Sequence, residues 1–175
     1  KAGYATACIG KWGLGSRQTG GHPNRTGFDY FFGHQTHTGA HDYRPEYLMR
    51  NRTRIRVKGE YVQDLFTREA CDWIRQQRSD RPFFLYLPYT TPHSPYNPPA
   101  LGAYADKPWP KWAKRYAAMV TRMDRHVGML LRQLEKSRLD EKTLIFFSSD
   151  NGPGRRPAEF FNSNGPFRGG KRDLY

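Results

Sequence analysis

Residues 143–152 read TLIFFSSDNG, and no other stretch restricts the possible folds of this chain as tightly. Thr143-Leu144-Ile145-Phe146-Phe147 is charge-free and rich in β-branched and aromatic residues, without polar alternation. Such a run predicts a buried strand of a parallel sheet, covered on both faces. It then turns polar at once, into Ser148-Ser149-Asp150-Asn151-Gly152-Pro153. A strand ending this way delivers a carboxylate and a carboxamide to the carboxyl edge of the sheet, where open α/β folds place their sites. Asp150 and Asn151 offer only oxygens, which suits a hard cation such as Ca²⁺ or Mg²⁺. Taken alone, the same residues also read as a plain turn after a strand.

The remaining periodicity supplies the rest of an α/β order. Residues 64–77 carry Phe66, Ala70, Trp73 and Ile74 at helical spacing, and a charged run to Arg81 follows. Pro82-Phe83-Phe84-Leu85-Tyr86-Leu87-Pro88 predicts a second buried strand. Residues 112–134 form an amphipathic helix, with Tyr116, Met119, Val120, Met123, Val127, Leu130, Leu131 and Leu134 on the core face. Lys114, Arg115, Arg122, Arg125 and Arg132 are expected on the opposite, solvated face. Helix, strand, helix, strand predicts a doubly wound, mostly parallel sheet. Residues 16–62 read as loop-rich around Phe28-Asp29-Tyr30-Phe31-Phe32, and residues 89–110 as a proline-punctuated loop containing His93.

Charge narrows the partners. Lys and Arg number 29 against 16 Asp and Glu, a net +13, which favours anionic ligands. The basic residues are scattered, apart from residues 50–58, which predict a solvated hairpin rather than a phosphate-binding strip. The chain carries no nucleic-acid-binding signature and its aromatics fall in core-like runs, so no nucleic-acid partner is expected. No apolar run reaches the length of a membrane span. Cys8 and Cys71 lack metal or disulfide spacing, and Cys71 reads as a small core residue. His34, His37 and His41 sit in an irregular segment without a complete zinc ligand set. Asn24-Arg25-Thr26 and Asn51-Arg52-Thr53 match the glycosylation pattern. The sequence carries no signal for an oligomeric state.

Several blocks together resemble one family. Gly3-Tyr4-x-Thr6-x-x-x-Gly10-Lys11-Trp12-x-Leu14-Gly15 is similar to the second signature of the formylglycine-dependent sulfatases. The likeness continues through residues 27–33, residues 82–89 with Pro92-His93, and Tyr116-x-x-Met119-Val120-x-x-Met123-Asp124. It extends to Ser149-Asp150-Asn151-Gly152 and to Arg168-Gly169-x-Lys171-Arg172. The resemblance implies an alkaline-phosphatase-like α/β sandwich with a mostly parallel central sheet. Residues 1–175 would be the central part of its catalytic domain, continued at both ends.

The resemblance also implies site roles. Lys11 and Lys171 would hold sulfate oxygens, His93 would contact the leaving-group side, and Asp150 and Asn151 would supply part of a Ca²⁺ site (Mg²⁺ being the other hard cation). The substrate would be a sulfated carbohydrate or an aryl sulfate, and the enzyme periplasmic or secreted. A phosphodiesterase or phosphonate hydrolase of the same superfamily is the alternative. The nucleophile of the family is a formylglycine made in a C-x-[PA]-x-R motif, which this chain lacks, as it lacks the aspartate pair that completes the metal site. Both are expected upstream of Lys1, and the 175-residue chain alone is expected to hydrolyse no sulfate ester. Many members carry a histidine where this chain has Gly13.

Overall fold

The computed structural model describes residues 2–16 and 18–173. Five strands form one sheet: β1 Ala5–Lys11, β2 Tyr30–His34, β3 Tyr47–Arg50, β4 Thr53–Arg56 and β5 Phe83–Tyr86. Their spatial order is β4-β3-β2-β1-β5. The central strand β1 runs parallel to β2 and to β5. The other edge is an antiparallel hairpin of β3 and β4 hung on β2.

That hairpin carries the basic run, whose alternating arginines are largely solvated as the sequence predicts. It turns at Asn51, in the left-handed region at φ 51°, which asparagine tolerates. The Asn51 Oδ1 accepts from the Phe31 amide at 2.9 Å and from Asn24 Nδ2 at 3.2 Å. Both asparagines of the glycosylation patterns are therefore engaged in fixing this turn to β2.

Three helices stack on one side of the sheet. Helix α1, Val62–Arg75, packs on β1 and β2; α2, Lys111–Lys136, packs on α1; α3, Arg155–Phe161, packs on α2. Alternate strand residues Ala7, Ile9 and Phe32 join Phe66, Ala70, Trp73, Met119 and Leu134 in the core. The other face carries Cys8 and Phe31, with Phe28 stacked over Phe84 and Tyr86 at 6.1 and 6.3 Å. Irregular chain, rather than a second helical layer, lies on that face among the described residues. The doubly wound arrangement is to that extent not seen there.

Two expectations about strands need correction. Residues 143–147 are not in the sheet, and Leu144 and Phe146 are 79% and 86% exposed. An apolar run states a need for burial without stating what supplies it, and nothing among the described residues packs on this one. The Pro82–Pro88 run does form a strand, β5, but as a sheet edge: Phe83 and Leu85 pack against the core while Phe84 and Tyr86 are half exposed. Continuous hydrophobicity predicted two covered faces; this strand has one covered face and one covered only in part. Cys71 is likewise half-buried rather than a core residue.

On α2 the apolar stripe is also displaced. Met119 and Leu134 are buried, but Leu131 is exposed, and Arg122, expected in solvent, turns inward. Its guanidinium donates to both oxygens of Asp64 on α1, at 2.7 and 2.5 Å, and His126 Nε2 lies 2.9 Å from the same carboxylate. Burial by itself would raise the Asp64 pKa, but the hydrogen bonds and charges of His126 and Arg122 outweigh it and hold the carboxyl at about 2. Hydrophobic periodicity ranks residues by apolarity and could not see this polar pin between two helices.

Candidate active site

The site is built where β1 ends. The Lys11 amide donates to Pro88 O at 2.9 Å and the Trp12 amide to His34 O at 2.9 Å, so Lys11 leaves the sheet between the ends of its two parallel neighbours. Two glycines permit that closeness. Gly10 has φ 140°, and a Cβ there would lie 2.3 Å from Pro88 O; a Cβ on its partner Gly33 would lie 1.9 Å from Gly10 O. Neither space accommodates a carbon. Gly10→Ala is therefore expected to cost about 2–4 kcal/mol of stability, read as a lower urea midpoint of the full-length protein. An unchanged midpoint would mean that the strand ends spread at little cost.

Beyond Pro88 the chain enters the loop that carries His93. This loop is tied at its base, where the Thr90 amide donates to the buried Gln63 Oε1 at 3.3 Å. At His93 itself the backbone amide donates to Thr90 O at 2.9 Å, and Tyr43 Oη donates to the His93 carbonyl at 2.7 Å. The His93 Nδ1 lies 2.6 Å from Ser94 O. A carbonyl only accepts, so Nδ1 carries the proton and Nε2 is the ring nitrogen left for a ligand.

Against His93 lies His41, at the end of the short 3-10 turn Gly39–His41. The two rings are stacked at 4.4 Å with 4° between their planes, and His37 meets His41 edge-on at 5.1 Å. Burial first, and then the charges of His93, His37, Lys11 and Lys171, lower the His41 pKa below the ordinary imidazole range. His93 from the proline loop thus stacks on an imidazole that also feels the charges of Lys11 from β1 and Lys171 from the glycine-rich tail.

The tail reaches this place by packing backbone on backbone. The Lys171 amide donates to Pro153 O at 2.9 Å, and a Cβ on Gly152 would come 3.0 Å from the Gly170 Cα. Gly169, at φ 77°, and the bond from the Gly170 amide to Asp173 Oδ2 at 2.7 Å shape the turn before Lys171. Gly152, Pro153, Arg168 and Gly170 line an open groove of about 600 Å³. Arg172 is exposed and joins no ion pair among the described residues.

Asp150 and Asn151 immediately precede the Gly152-Pro153 contact with that tail. The Asp150 charge is felt by Tyr86, whose phenol is raised by burial first and then by Cys8 and Asp150. Both side chains are exposed and bond to nothing among the described residues, so their oxygens remain available. No group of three or more His, Cys, Asp and Glu able to hold a metal occurs among the described residues. Two oxygen donors suit a hard cation but fill only part of the six to eight positions that Ca²⁺ takes.

Sequence reasoning missed His41, Tyr43 and Gln63. His37 and His41 were weighed with His34 only as metal ligands, whereas the structure stacks His41 on His93 and sets His37 edge-on against His41. His34 stands apart, buried against Phe66. Burial lowers its pKa to about 4, with the nearby Asp42 charge opposing. A histidine buried neutral stabilises the fold fully above the unfolded pKa near 6.5, and that contribution is lost as pH falls toward 4. Between those values His34 is expected to remove about 2–3 kcal/mol. Urea unfolding at pH 7 and pH 4.5 should show a smaller loss in His34→Gln than in the parent; equal losses would place the acid sensitivity elsewhere.

A family model described as Sulfatase matches residues 1–175, the whole chain. The chain belongs to the sulfatase family. As a sulfatase chain it is 34% identical, over its full length, to N-acetylgalactosamine-6-sulfatase of Canis lupus familiaris, of which it covers 36%. It is 34% identical to an arylsulfatase of Hemicentrotus pulcherrimus, with 98% of the chain aligned to 33% of that protein. Among solved structures, Ps i-CgsB in complex with k-i-k-neocarrahexaose superposes with a TM-score of 0.75 at 32% identity, over 85% of this chain and 38% of that one. The chain spans about a third of the length of these relatives. Such superpositions support an alkaline-phosphatase-like α/β fold with three contiguous parallel strands. No helix among the described residues is long and apolar enough to cross a membrane.

Proposed function

We propose that this chain forms the leaving-group side and part of the metal site of a sulfatase that hydrolyses a sulfate ester of a carbohydrate, with aryl sulfates as simple surrogates. The observation that supports the reading is that His93 stacks on His41 while the charges of Lys11 and Lys171 both bear on that ring. Two ammonium groups from separate elements make a fixed positive field, and a sulfate ester gains most from such a field as negative charge builds during S–O cleavage. Lys11 and Lys171 hold the nonbridging oxygens. His93 then gives the Nε2 proton of its doubly protonated ring to the departing oxygen as the S–O bond breaks, and the bond's electron pair stays on that oxygen.

Asp150 and Asn151 fit one part of a Ca²⁺ site, the remaining ligands coming from the full-length protein. The ion would supply additional polarisation of the sulfate. A formylglycine, also from beyond this chain, would supply the attacking oxygen. A carbohydrate substrate is favoured because the relatives named above include an N-acetylgalactosamine-6-sulfatase and a protein solved with a neocarrahexaose. The enzyme is periplasmic or secreted in this reading, where such polymers are met.

The test is hydrolysis by the full-length enzyme of sulfated galactose and N-acetylgalactosamine derivatives alongside 4-nitrophenyl sulfate. Sulfate release from one of the sugars, lost in Lys11→Ala, is the expected result. Cleavage of a phosphodiester to an alcohol and a phosphomonoester, with no release of sulfate from any substrate, would overturn it.

A further inference from the structure

We propose that His41 is a positioning residue for His93, its flat ring fixing the plane from which His93 Nε2 addresses the departing oxygen. The inference rests on the catalytic reading above and adds to it a residue that no sequence motif singles out. His93 sits on a half-exposed loop, and its ring has one hydrogen bond, from Nδ1 to Ser94 O at 2.6 Å. One such bond fixes a point on the ring but leaves the plane free to swing. A second ring 4.4 Å away, with only 4° between the planes, removes that freedom.

His41 is itself well held. It ends the Gly39–His41 turn, next to buried Ala40, and His37 braces it edge-on at 5.1 Å. Its Nε2 is buried without a hydrogen-bond partner among the described residues, which an imidazolium would tolerate poorly. The groups facing it are His93, His37, Lys11 and Lys171, so its neighbourhood opposes a positive charge. A neutral imidazole offers His93 an aromatic face that stays favourable when His93 takes up its second proton, as a cation over a π system. Two imidazolium rings at this separation would repel.

Preorganising a general acid matters most when the leaving group is poor, because proton transfer then carries more of the barrier. The full-length enzyme is assayed on phenyl sulfate, a poor leaving group, and on 4-nitrophenyl sulfate, a good one, as His93→Ala, His41→Ala and His41→Phe. His41→Ala is expected to lower kcat roughly 10- to 100-fold on phenyl sulfate, with a loss of only a few-fold on 4-nitrophenyl sulfate and little change in KM. His41→Phe keeps a flat ring and should recover most of the loss. If His41→Ala fails to fold by circular dichroism, His41→Gln, which lacks an aromatic face, takes its place with the same expectation. Equal losses on both substrates, or no recovery by phenylalanine, would overturn the positioning role while leaving the site intact, provided His93→Ala is impaired. A fully active His93→Ala would instead overturn the catalytic reading beneath it.

Discussion

Lys171→Ala in the full-length enzyme is expected to lower kcat/KM about 10²- to 10³-fold, the usual effect of losing one preorganised contact to developing charge. Arg172→Ala should be far milder. The two cations are neighbours in sequence, and a guanidinium would suit a sulfate well on chemistry alone. Their surroundings separate them. The Lys171 amide is bonded to Pro153 O, which locks the lysine's backbone to the strap that follows Asp150 and Asn151, and its charge reaches His41. Arg172 follows at φ 81° and, like the equally exposed Lys171, forms no ion pair among the described residues, but its charge is not among those felt at His41. Steady-state kinetics of both variants on one aryl sulfate, with folding checked by circular dichroism, decides the matter. A larger loss in a folded Arg172→Ala would exchange the two roles.

The largest stability effect outside the strand crossing at Gly10 is expected at Asp64. Its carboxylate is the shared acceptor for Arg122 and His126, and Asp64→Ala strands a partly buried guanidinium and a buried imidazole together. Removing one partner of a fully buried pair costs about 3–5 kcal/mol; Asp64 and Arg122 keep some exposure, so about 2–3 kcal/mol is expected here. The pH dependence has a definite sign. The folded carboxyl is held at about 2, below its unfolded value, so its stabilisation is complete above about pH 4 and disappears as pH falls toward 2. Urea unfolding at pH 7 and pH 3 should show the gap between parent and Asp64→Ala narrowing in acid. A constant gap would assign the loss to packing rather than to charge.

How far the sequence could be read differed from element to element. Helix α1 and helix α2 were legible to within two residues because their stripes extend over several turns, and a long period averages out single exceptions. The basic hairpin was legible because alternating arginines keep one face largely in solvent. Arg122 was misplaced because a charged side chain is assigned to the solvated face by its identity, whereas what draws it inward is Asp64, 58 residues away. The strand read in residues 143–147 failed for a different reason. Apolar side chains specify that a partner surface is needed, and whether one is present is a property of the surrounding chain.

The same division holds for the site. Asp150 with Asn151, Lys11, His93 and Lys171 stand in short, ordered motifs, and their donor and charge types followed from residue identity alone. By itself the sequence determined the layer type, the two long helices, the hairpin and the list of chemically competent residues. The tertiary structure alone decided that His93 stacks on His41 and that the charges of Lys11 and Lys171 bear on the same ring, an arrangement that depends on Gly10 and Gly33 letting strand ends close and on two glycine-bearing loops touching backbone to backbone. It alone decided that His37 meets His41 edge-on while His41 stacks on His93. Local propensity acts over a few residues, whereas the contacts of Gly10 with Pro88 and of His41 with His93 join positions 78 and 52 apart, and their geometry exists only once the sheet has set the ends of its strands side by side.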